Sequence, residues 1–191
     1  MAAPPTTSIR EISGTWVLNK HLSDDFDATF AAQGVAWPVR KILGFAGVSL
    51  HLTQTKAPPP EDATGAPVTT IKARQTVTPG GFNSEDSYIL DSRDRVSTVP
   101  IFGTVSVRTT YVPVTELDDA ELRKRVESGG GDVVIQEVVE NKKAGWKTDG
   151  TWAFEEVNGE RRFTRTSVTT TSAESDVQVV AKVVYDFKAG K

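Results

Sequence analysis

Most of this 191-residue chain alternates apolar and polar residues with a period of two, and its valines and threonines are concentrated in these stretches. Such alternation is typical of half-buried antiparallel strands, which β-branched residues favour. About nine strands can be marked by this pattern, from residues 14–18 to residues 176–187. So many strands create exposed sheet edges unless the sheet closes on itself. The pattern predicts a mainly all-β fold of antiparallel strands.

The exception is residues 23–45, which switch to helical spacing. Ser23 is placed to cap a first short helix, with acidic residues in its first turn. Pro38 suits the first turn of a second helix, and Gly44 can end it. The sequence therefore predicts a helix–turn–helix directly after the first strand.

Composition excludes several function classes. The chain has 22 basic and 25 acidic residues, a net charge of −3, so we expect no nucleic-acid partner. No apolar run reaches the roughly 20 residues of a membrane span, so stable membrane insertion is not expected. The start of the chain lacks the basic and apolar regions of a secretory signal, which predicts a cytoplasmic protein.

Metal and cofactor chemistry have no sequence support either. The chain has no cysteine and two histidines, His21 and His51, in no ligand spacing. It also lacks a Walker loop and a Gly-x-Gly-x-x-Gly motif. We therefore expect no metal and no cofactor.

The dipeptide Asn158-Gly159 is a strong signal for a two-residue hairpin turn. Direct opposition across this turn places one arginine, Arg165, on the aromatic face of the hairpin, which should point inward. It also places Glu155 opposite Arg162 on the other face, where an ion pair is predicted. The inward set is Trp152, Phe154, Phe163 and Arg165.

The last strand shows the same alternation. Val183 and Tyr185 fall on its apolar face, so a tyrosine should lie in the interior near the end of the chain. Its hydroxyl can donate or accept one hydrogen bond at the floor of an apolar cavity.

The segments Gly14-Thr-Trp-Val-Leu18, Ser23-Asp-Asp-Phe-Asp27, Gly34-Val35, Arg40-Lys41 and Leu50-His-Leu52 resemble the intracellular fatty-acid-binding proteins of the calycin superfamily. The resemblance is strongest over residues 13–54. It implies a closed antiparallel β-barrel of about ten strands, plugged at one end by Trp16, lidded at the other by two helices, and holding one apolar ligand; such closure would also remove the exposed sheet edges.

The resemblance also assigns faces. It directs Leu50, Leu52, Ile71 and Gln75 inward and places Phe30 and Phe82 near the portal. Such proteins bind a carboxylate with an Arg-x-Tyr pair on the last strand. Tyr185 matches the tyrosine of this pair, but Val183 occupies the position of the arginine. The expected ligand-binding set is Arg165, Tyr185, Trp152, Phe154, Phe163, Gln75, Leu50, Leu52, Ile71, Val183, Phe30 and Phe82.

We expect one barrel domain over residues 13–188 after a tail at 1–12. It carries a charged insert at about 114–132, interpreted as a short surface helix or mobile segment.

Three functions stay open. The first is a binding protein for a small hydrophobic ligand such as a lipid or a polyketide- or terpenoid-like molecule. The second is a cofactor-independent cyclase or isomerase of a natural-product pathway, with Arg165 and Tyr185 as candidate catalytic residues and Gln75 as a further polar group. The third is a protein-interaction module that uses the charged insert.

Overall fold

A computed structural model of the chain describes residues 1–59, 61–62, 64–79, 82–172 and 178–189, without the side chain of Phe82. Residues 176–177, predicted to begin the last strand, lie outside this part. The strands are β1 (Gly14–Leu18), β2 (Gly47–Ala57), β3 (Val68–Thr78), β4 (Phe82–Ile89), β5 (Arg95–Val99), β6 (Gly103–Pro113), β7 (Val133–Asn141), β8 (Trp146–Val157), β9 (Glu160–Thr171) and β10 (Gln178–Lys188). The helices are α1 (Asp27–Ala32), α2 (Trp37–Phe45) and α3 (Ala120–Ser128), with a 3-10 turn at Val114–Glu116.

Within the described residues the strands form a single ten-stranded antiparallel sheet in the order β4-β3-β2-β1-β10-β9-β8-β7-β6-β5. The sheet curls, but β4 and β5 are not paired along their length. A short contact joins β4 to β6 instead: Leu90 forms an isolated bridge with Thr109, whose hydroxyl donates to Ile89 O at 2.9 Å. The predicted antiparallel all-β fold is confirmed, whereas the prediction of a fully closed barrel overstated the closure.

The β8–β9 hairpin has the predicted register. Asn158 and Gly159 form its turn with φ of 52° and 76°, and Trp152 pairs with Arg165. The predicted ion pair between Glu155 and Arg162 is wrong, although the two residues are opposite each other. Glu155 is fully buried and binds other partners, and Arg162 pairs with Asp186 and Glu160.

The closed end of the barrel is filled by side chains packed around Trp16. Trp16 is fully buried, its Nε1 donates to Ile12 O at 3.0 Å, and its ring meets Phe154 and Phe163 at centroid distances of 5.6 and 5.3 Å. Ile9 and Ile12 belong to the same cluster. The first twelve residues, interpreted from sequence as a tail, therefore cover the closed end of the barrel.

The helix pair follows β1 as predicted, but its first helix begins differently. α1 starts at Asp27 without a side-chain cap, and Ser23 instead donates to Asn19 O and accepts from Val184 N. Ser23 therefore ties the connection to β10. Pro38 lies in the first turn of α2, as expected.

The two helices are joined by an ion pair between Arg40 and Asp27 at 3.3 Å. No helix in the described part of the chain is long and apolar enough to cross a membrane.

The charged insert is anchored on the outer face of the sheet. Asp119 caps α3 by accepting from Leu122 N at 2.9 Å. The buried face of α3 belongs to a second apolar cluster, separate from the barrel core, because it covers outward-facing residues of β7 and β8. The cluster consists of Val114, Leu117, Leu122, Val126, Val134 and Ala153.

Candidate functional site

A buried polar cluster lies on the inner face of the sheet, centred on Arg165. The guanidinium Nη2 donates to Glu137 Oε2 at 2.6 Å, and Trp152 Nε1 donates to the same oxygen at 2.8 Å. The arginine Cζ lies 4.3 Å from the centroid of the Trp152 ring, which is within cation–π range. One carboxylate and one indole therefore fix the arginine head group.

Strand pairing explains why these three side chains meet. Trp152 on β8 lies directly opposite Arg165 on β9 and opposite Ile135 on β7. Glu137, two residues beyond Ile135 on the same face, is the diagonal neighbour of Trp152. Diagonal neighbours across a sheet are within reach of long and aromatic side chains.

Two tyrosines flank the cluster. The ring of Tyr88 meets Trp152 edge-on at a centroid distance of 4.9 Å, and the ring of Tyr185 stacks on Phe163 at 5.2 Å. Burial raises the pKa of both tyrosines, and the charge of Arg165 opposes that rise. Both hydroxyls therefore stay protonated and can donate hydrogen bonds.

Asp86 on β4 adds a second acidic side chain. Burial raises the pKa of this carboxyl, Glu137 raises it further, and Arg165 lowers it. For Arg165, burial by itself lowers the pKa, but Glu137 and the tyrosines outweigh it, and the pKa is raised. The guanidinium is therefore charged at all ordinary pH values.

Arg165 lies on the inner face of the sheet, between the closed end of the barrel and the helices. Towards the closed end, the inward side chains are almost completely buried. The side chain of Arg165 remains 27% exposed, and inward residues between it and the helices also keep some solvent contact. These residues are Val48, Gln75, Ser84, Thr148, Ser167 and Val183. Other inward residues on the helix side, Ala181, Thr169 and Trp146 among them, are almost fully buried, so Arg165 lies among inward side chains of mixed exposure.

The helices cover this end of the barrel. Phe30 of α1 stacks on Phe102 at a centroid distance of 6.4 Å, and Gln33 Nε2 donates to Thr148 Oγ1 on β8 at 3.1 Å. A cleft of about 390 Å³ runs between the helices and the end of β1, with Leu18 and Phe30 in its wall. This cleft is a candidate portal.

No protein-family model matches the chain. A relative named probable pericyclase scpY, from Mollisia scopiformis, is 33% identical over 188 residues, which cover 97% of this chain and 94% of the relative. The chain belongs to the family of this probable pericyclase.

Solved structures similar to this family member include fatty-acid-binding proteins. A Schistosoma mansoni fatty-acid-binding protein in complex with arachidonic acid has a TM-score of 0.58 at 15% identity, covering 96% of this chain and 100% of the other. Echinococcus granulosus fatty-acid-binding protein 1 has a TM-score of 0.56 at 18% identity, covering 93% and 98%. The resemblance in fold that the sequence indicated is confirmed.

The structure brings part of the expected ligand-binding set together in this family member. Arg165, Trp152, Phe163 and Tyr185 are in the cluster or adjacent to it, and Val183 pairs with Arg165. Gln75 and Phe30 lie on the helix side and are partly exposed. The side chain of Phe82 is outside the described part.

The remaining expected residues are less accessible. They are nearly fully buried in the core cluster that contains Trp16, so they pack on the closed-end side of the Arg165 cluster. They are Leu50, Leu52, Ile71 and Phe154. Ligand contact by any of the expected residues stays a prediction.

Sequence reasoning missed Glu137, Asp86 and Tyr88. The alternation of β7 could have indicated that Glu137 faces inward, because Ile135, Glu137 and Val139 fall on one face of a strand rich in apolar residues. In the part of the chain that the structure describes, no three or more histidine or acidic side chains are grouped to hold a metal ion.

Proposed function

We propose that the chain binds a small apolar molecule inside its barrel and catalyses a pericyclic reaction of that molecule. The observation that carries this proposal is the Arg165 guanidinium, held by Glu137 and Trp152 on the inner face of the sheet while its side chain stays 27% exposed. The name of the 33% identical relative supports the same reaction class.

Such a reaction suits the residues available. In a pericyclic step, bonds form and break around one ring of atoms, so no proton or electron has to be transferred to the protein. An enzyme accelerates it by holding the reacting ends close together and by stabilising charge that builds up on an attached carbonyl. Neither contribution requires a histidine, a cysteine or a metal.

In this proposal Arg165 donates a hydrogen bond to a carbonyl conjugated with the reacting π system. Glu137 and Trp152 fix the guanidinium beforehand, so the protein need not reorganise during the reaction. Tyr185, 5% exposed, stacks on Phe163 and would help to orient the ligand beside Arg165. Burial of the apolar part of the ligand supplies affinity, at about 25 cal/mol per Å².

The test uses a set of synthetic linear trienones that cyclise slowly without a catalyst. We expect the protein to accelerate ring closure of at least one of them and to enrich one stereoisomer, as read by chiral chromatography. Arg165→Met should abolish the acceleration while leaving trienone binding within about threefold, because most of the affinity is apolar. Tyr185→Phe should reduce the acceleration of ring closure less than Arg165→Met does.

Arg108→Met is the matched control. Arg108 is on β6, exposed, and pairs with Asp94 at 3.6 Å. Its loss should leave both binding and ring closure unchanged. If Arg165→Met and Arg108→Met behaved alike, the assignment of Arg165 would be wrong.

A second candidate function is carriage of an apolar ligand without conversion. The shared fold with a protein solved in complex with arachidonic acid supports it. Trienones that bind with saturation but cyclise at the uncatalysed rate would favour this carrier over the enzyme. Failure to bind any apolar probe would contradict both candidates.

A further inference from the structure

The charges on the inner face of the barrel are unevenly distributed. Around Trp152, Arg165 on β9 contributes one positive charge, whereas Glu137 on β7 and Asp86 on β4 contribute two carboxyl groups. Arg95 on β5, further along this face, is paired with Asp91 and Glu61. The residue paired with Arg165 on β10 is Val183, so the neighbouring strand adds no second cation at this level. A ligand that enters from the helix side therefore meets no uncompensated positive charge at Arg165.

The geometry around Arg165 strengthens this point. Its Nη2 lies 2.6 Å from Glu137 Oε2, and one face of the guanidinium is covered by Trp152. Glu137 is 8% exposed in its side chain, so water screens this pair poorly. A guanidinium has five N–H donors and Glu137 accepts from one of them, so the head group has further donors to offer a ligand although its charge is already balanced.

A ligand carboxylate would lose its hydration on entering such a site. Burying an ion costs several kcal/mol unless an opposite charge compensates it, and Glu137 has taken that role. Asp86 adds repulsion when it is ionised. A carbonyl, ester, amide or hydroxyl can instead accept from Arg165 at a much smaller desolvation cost.

We propose that the barrel interior selects apolar ligands whose polar group is uncharged and rejects those that end in a carboxylate. This inference rests on the proposed function only in taking the barrel interior as the ligand site. It names the substrate class: a hydrophobic chain or ring system with a neutral hydrogen-bond acceptor.

The test compares two ligands with the same hydrocarbon chain, oleamide and oleate, as competitors of the neutral dye Nile red. At about pH 8, below the concentration at which either ligand forms micelles, oleate is ionised. We expect oleamide to displace Nile red at an at least tenfold lower concentration than oleate, equivalent to about 1.4 kcal/mol.

The outcomes separate the two proposals. Equal displacement by oleamide and oleate, with saturable Nile red binding, overturns the charge selection and leaves the ligand site intact. Absence of saturable binding by Nile red and both ligands overturns the ligand site, and the proposed function with it.

Glu137→Gln provides a gain-of-function arm. Glutamine keeps the shape and an acceptor for Trp152 but frees the charge of Arg165. We expect oleate to displace Nile red at about a tenfold lower concentration in this variant, so that the preference for oleamide over oleate shrinks. A folded Glu137→Gln protein that still discriminates against oleate as the wild type does overturns the inference.

Glu140→Gln is the control, since Glu140 is on the same strand but on the outer face of the sheet. It should leave the preference unchanged. If Glu137→Gln does not fold, as judged by thermal denaturation, Asp86→Asn replaces it with an expected gain for oleate of about threefold. No gain in Asp86→Asn then overturns the inference.

Discussion

Arg165 and Trp152 share one hydrogen-bond acceptor. The arginine Nη2 at 2.6 Å and the indole Nε1 at 2.8 Å both donate to Oε2 of Glu137, and the guanidinium lies over the indole ring. The two donors approach from neighbouring strands that pair Trp152 with Arg165 directly. The orientation of the guanidinium is therefore set by the sheet register and by one carboxylate.

This geometry predicts that Arg165→Lys does not rescue function. Lysine keeps the charge but lacks the planar fork that can bind Glu137, stack on Trp152 and still direct a donor into the cavity. We expect trienone ring closure to fall at least about tenfold, close to the Arg165→Met level. Turnover measured at saturating trienone checks this, with circular dichroism to show that the variant folds.

If Arg165→Lys kept wild-type turnover, the charge alone, rather than the guanidinium geometry, would act on the substrate. Arg108→Lys, on the outer face, controls for general effects of the substitution.

The second prediction concerns the buried carboxylate of Glu155. This side chain is fully buried and is bound by Arg125 Nε of α3 at 2.9 Å and by Thr164 Oγ1 at 2.6 Å. Arg125→Ala leaves the carboxylate with Lys182 at 3.8 Å as its nearest cation. We expect the free energy of unfolding in urea to drop by about 2–3 kcal/mol, since a buried carboxylate that keeps only a distant cation is poorly compensated.

Adding Glu155→Gln to Arg125→Ala should recover part of the lost stability, because the buried group is then uncharged. Lys124→Ala on the exposed side of α3 is the matched control and should change stability by less than about 0.5 kcal/mol. A similar loss in Lys124→Ala would indicate that helix formation, not the ion pair, is responsible.

The β8–β9 hairpin shows what could be predicted from sequence. Asn158-Gly159 allows a two-residue turn, and this turn fixes the register, so the pairing of Trp152 with Arg165 could be derived without a structure. The barrel fold could be inferred from alternation together with the segment around Trp16. These features depend on local chemistry that the sequence displays directly.

The partners of the charged residues could not be predicted in the same way. Glu137 reaches Arg165 through the register of β7 with β8, which depends on the connection at residues 142–145 and has no two-residue turn signature. Glu155 binds Arg125 rather than Arg162 because α3 packs on the outer face of the sheet, and that packing depends on contacts distant in sequence. Long-range packing decided both cases.

The third prediction is a pH-dependent stability effect at Asp86. Burial and the charge of Glu137 raise the pKa of this half-buried carboxyl above its ordinary value of 3.8. A carboxyl whose pKa is higher in the folded state destabilises the protein when ionised, and this penalty disappears as the pH falls through the folded pKa to the unfolded one.

Asp86→Asn should therefore raise the melting temperature at about pH 7 by about 1–3 °C, and the difference should vanish near pH 4. Calorimetry across this range checks the expectation. The neighbouring Glu85→Gln, on an exposed outward side chain, should show no such dependence. A stabilisation of Asp86→Asn that persisted at about pH 4 would argue against the ionisation effect.

The last prediction concerns ligand entry through the helix pair. Phe30 connects α1 to the barrel by stacking on Phe102, which in turn meets Trp146 at a centroid distance of 5.9 Å. An aromatic pair contributes about 0.5–1.5 kcal/mol beyond its buried area, so its loss should favour opening of the lid. Phe30→Ala should therefore accelerate both uptake and release of Nile red by about three- to tenfold in stopped-flow fluorescence.

Because an open lid affects both directions, the dissociation constant should change by less than about threefold. Trp37→Ala removes another aromatic side chain from the lid, but Trp37 is 61% exposed on α2, so both rates should stay close to the wild type. If Phe30→Ala weakened Nile red binding by slowing uptake alone, Phe30 would instead be part of the surface that first captures the ligand. Equal acceleration in Trp37→Ala would assign the gate to α2, which joins α1 through the ion pair between Arg40 and Asp27.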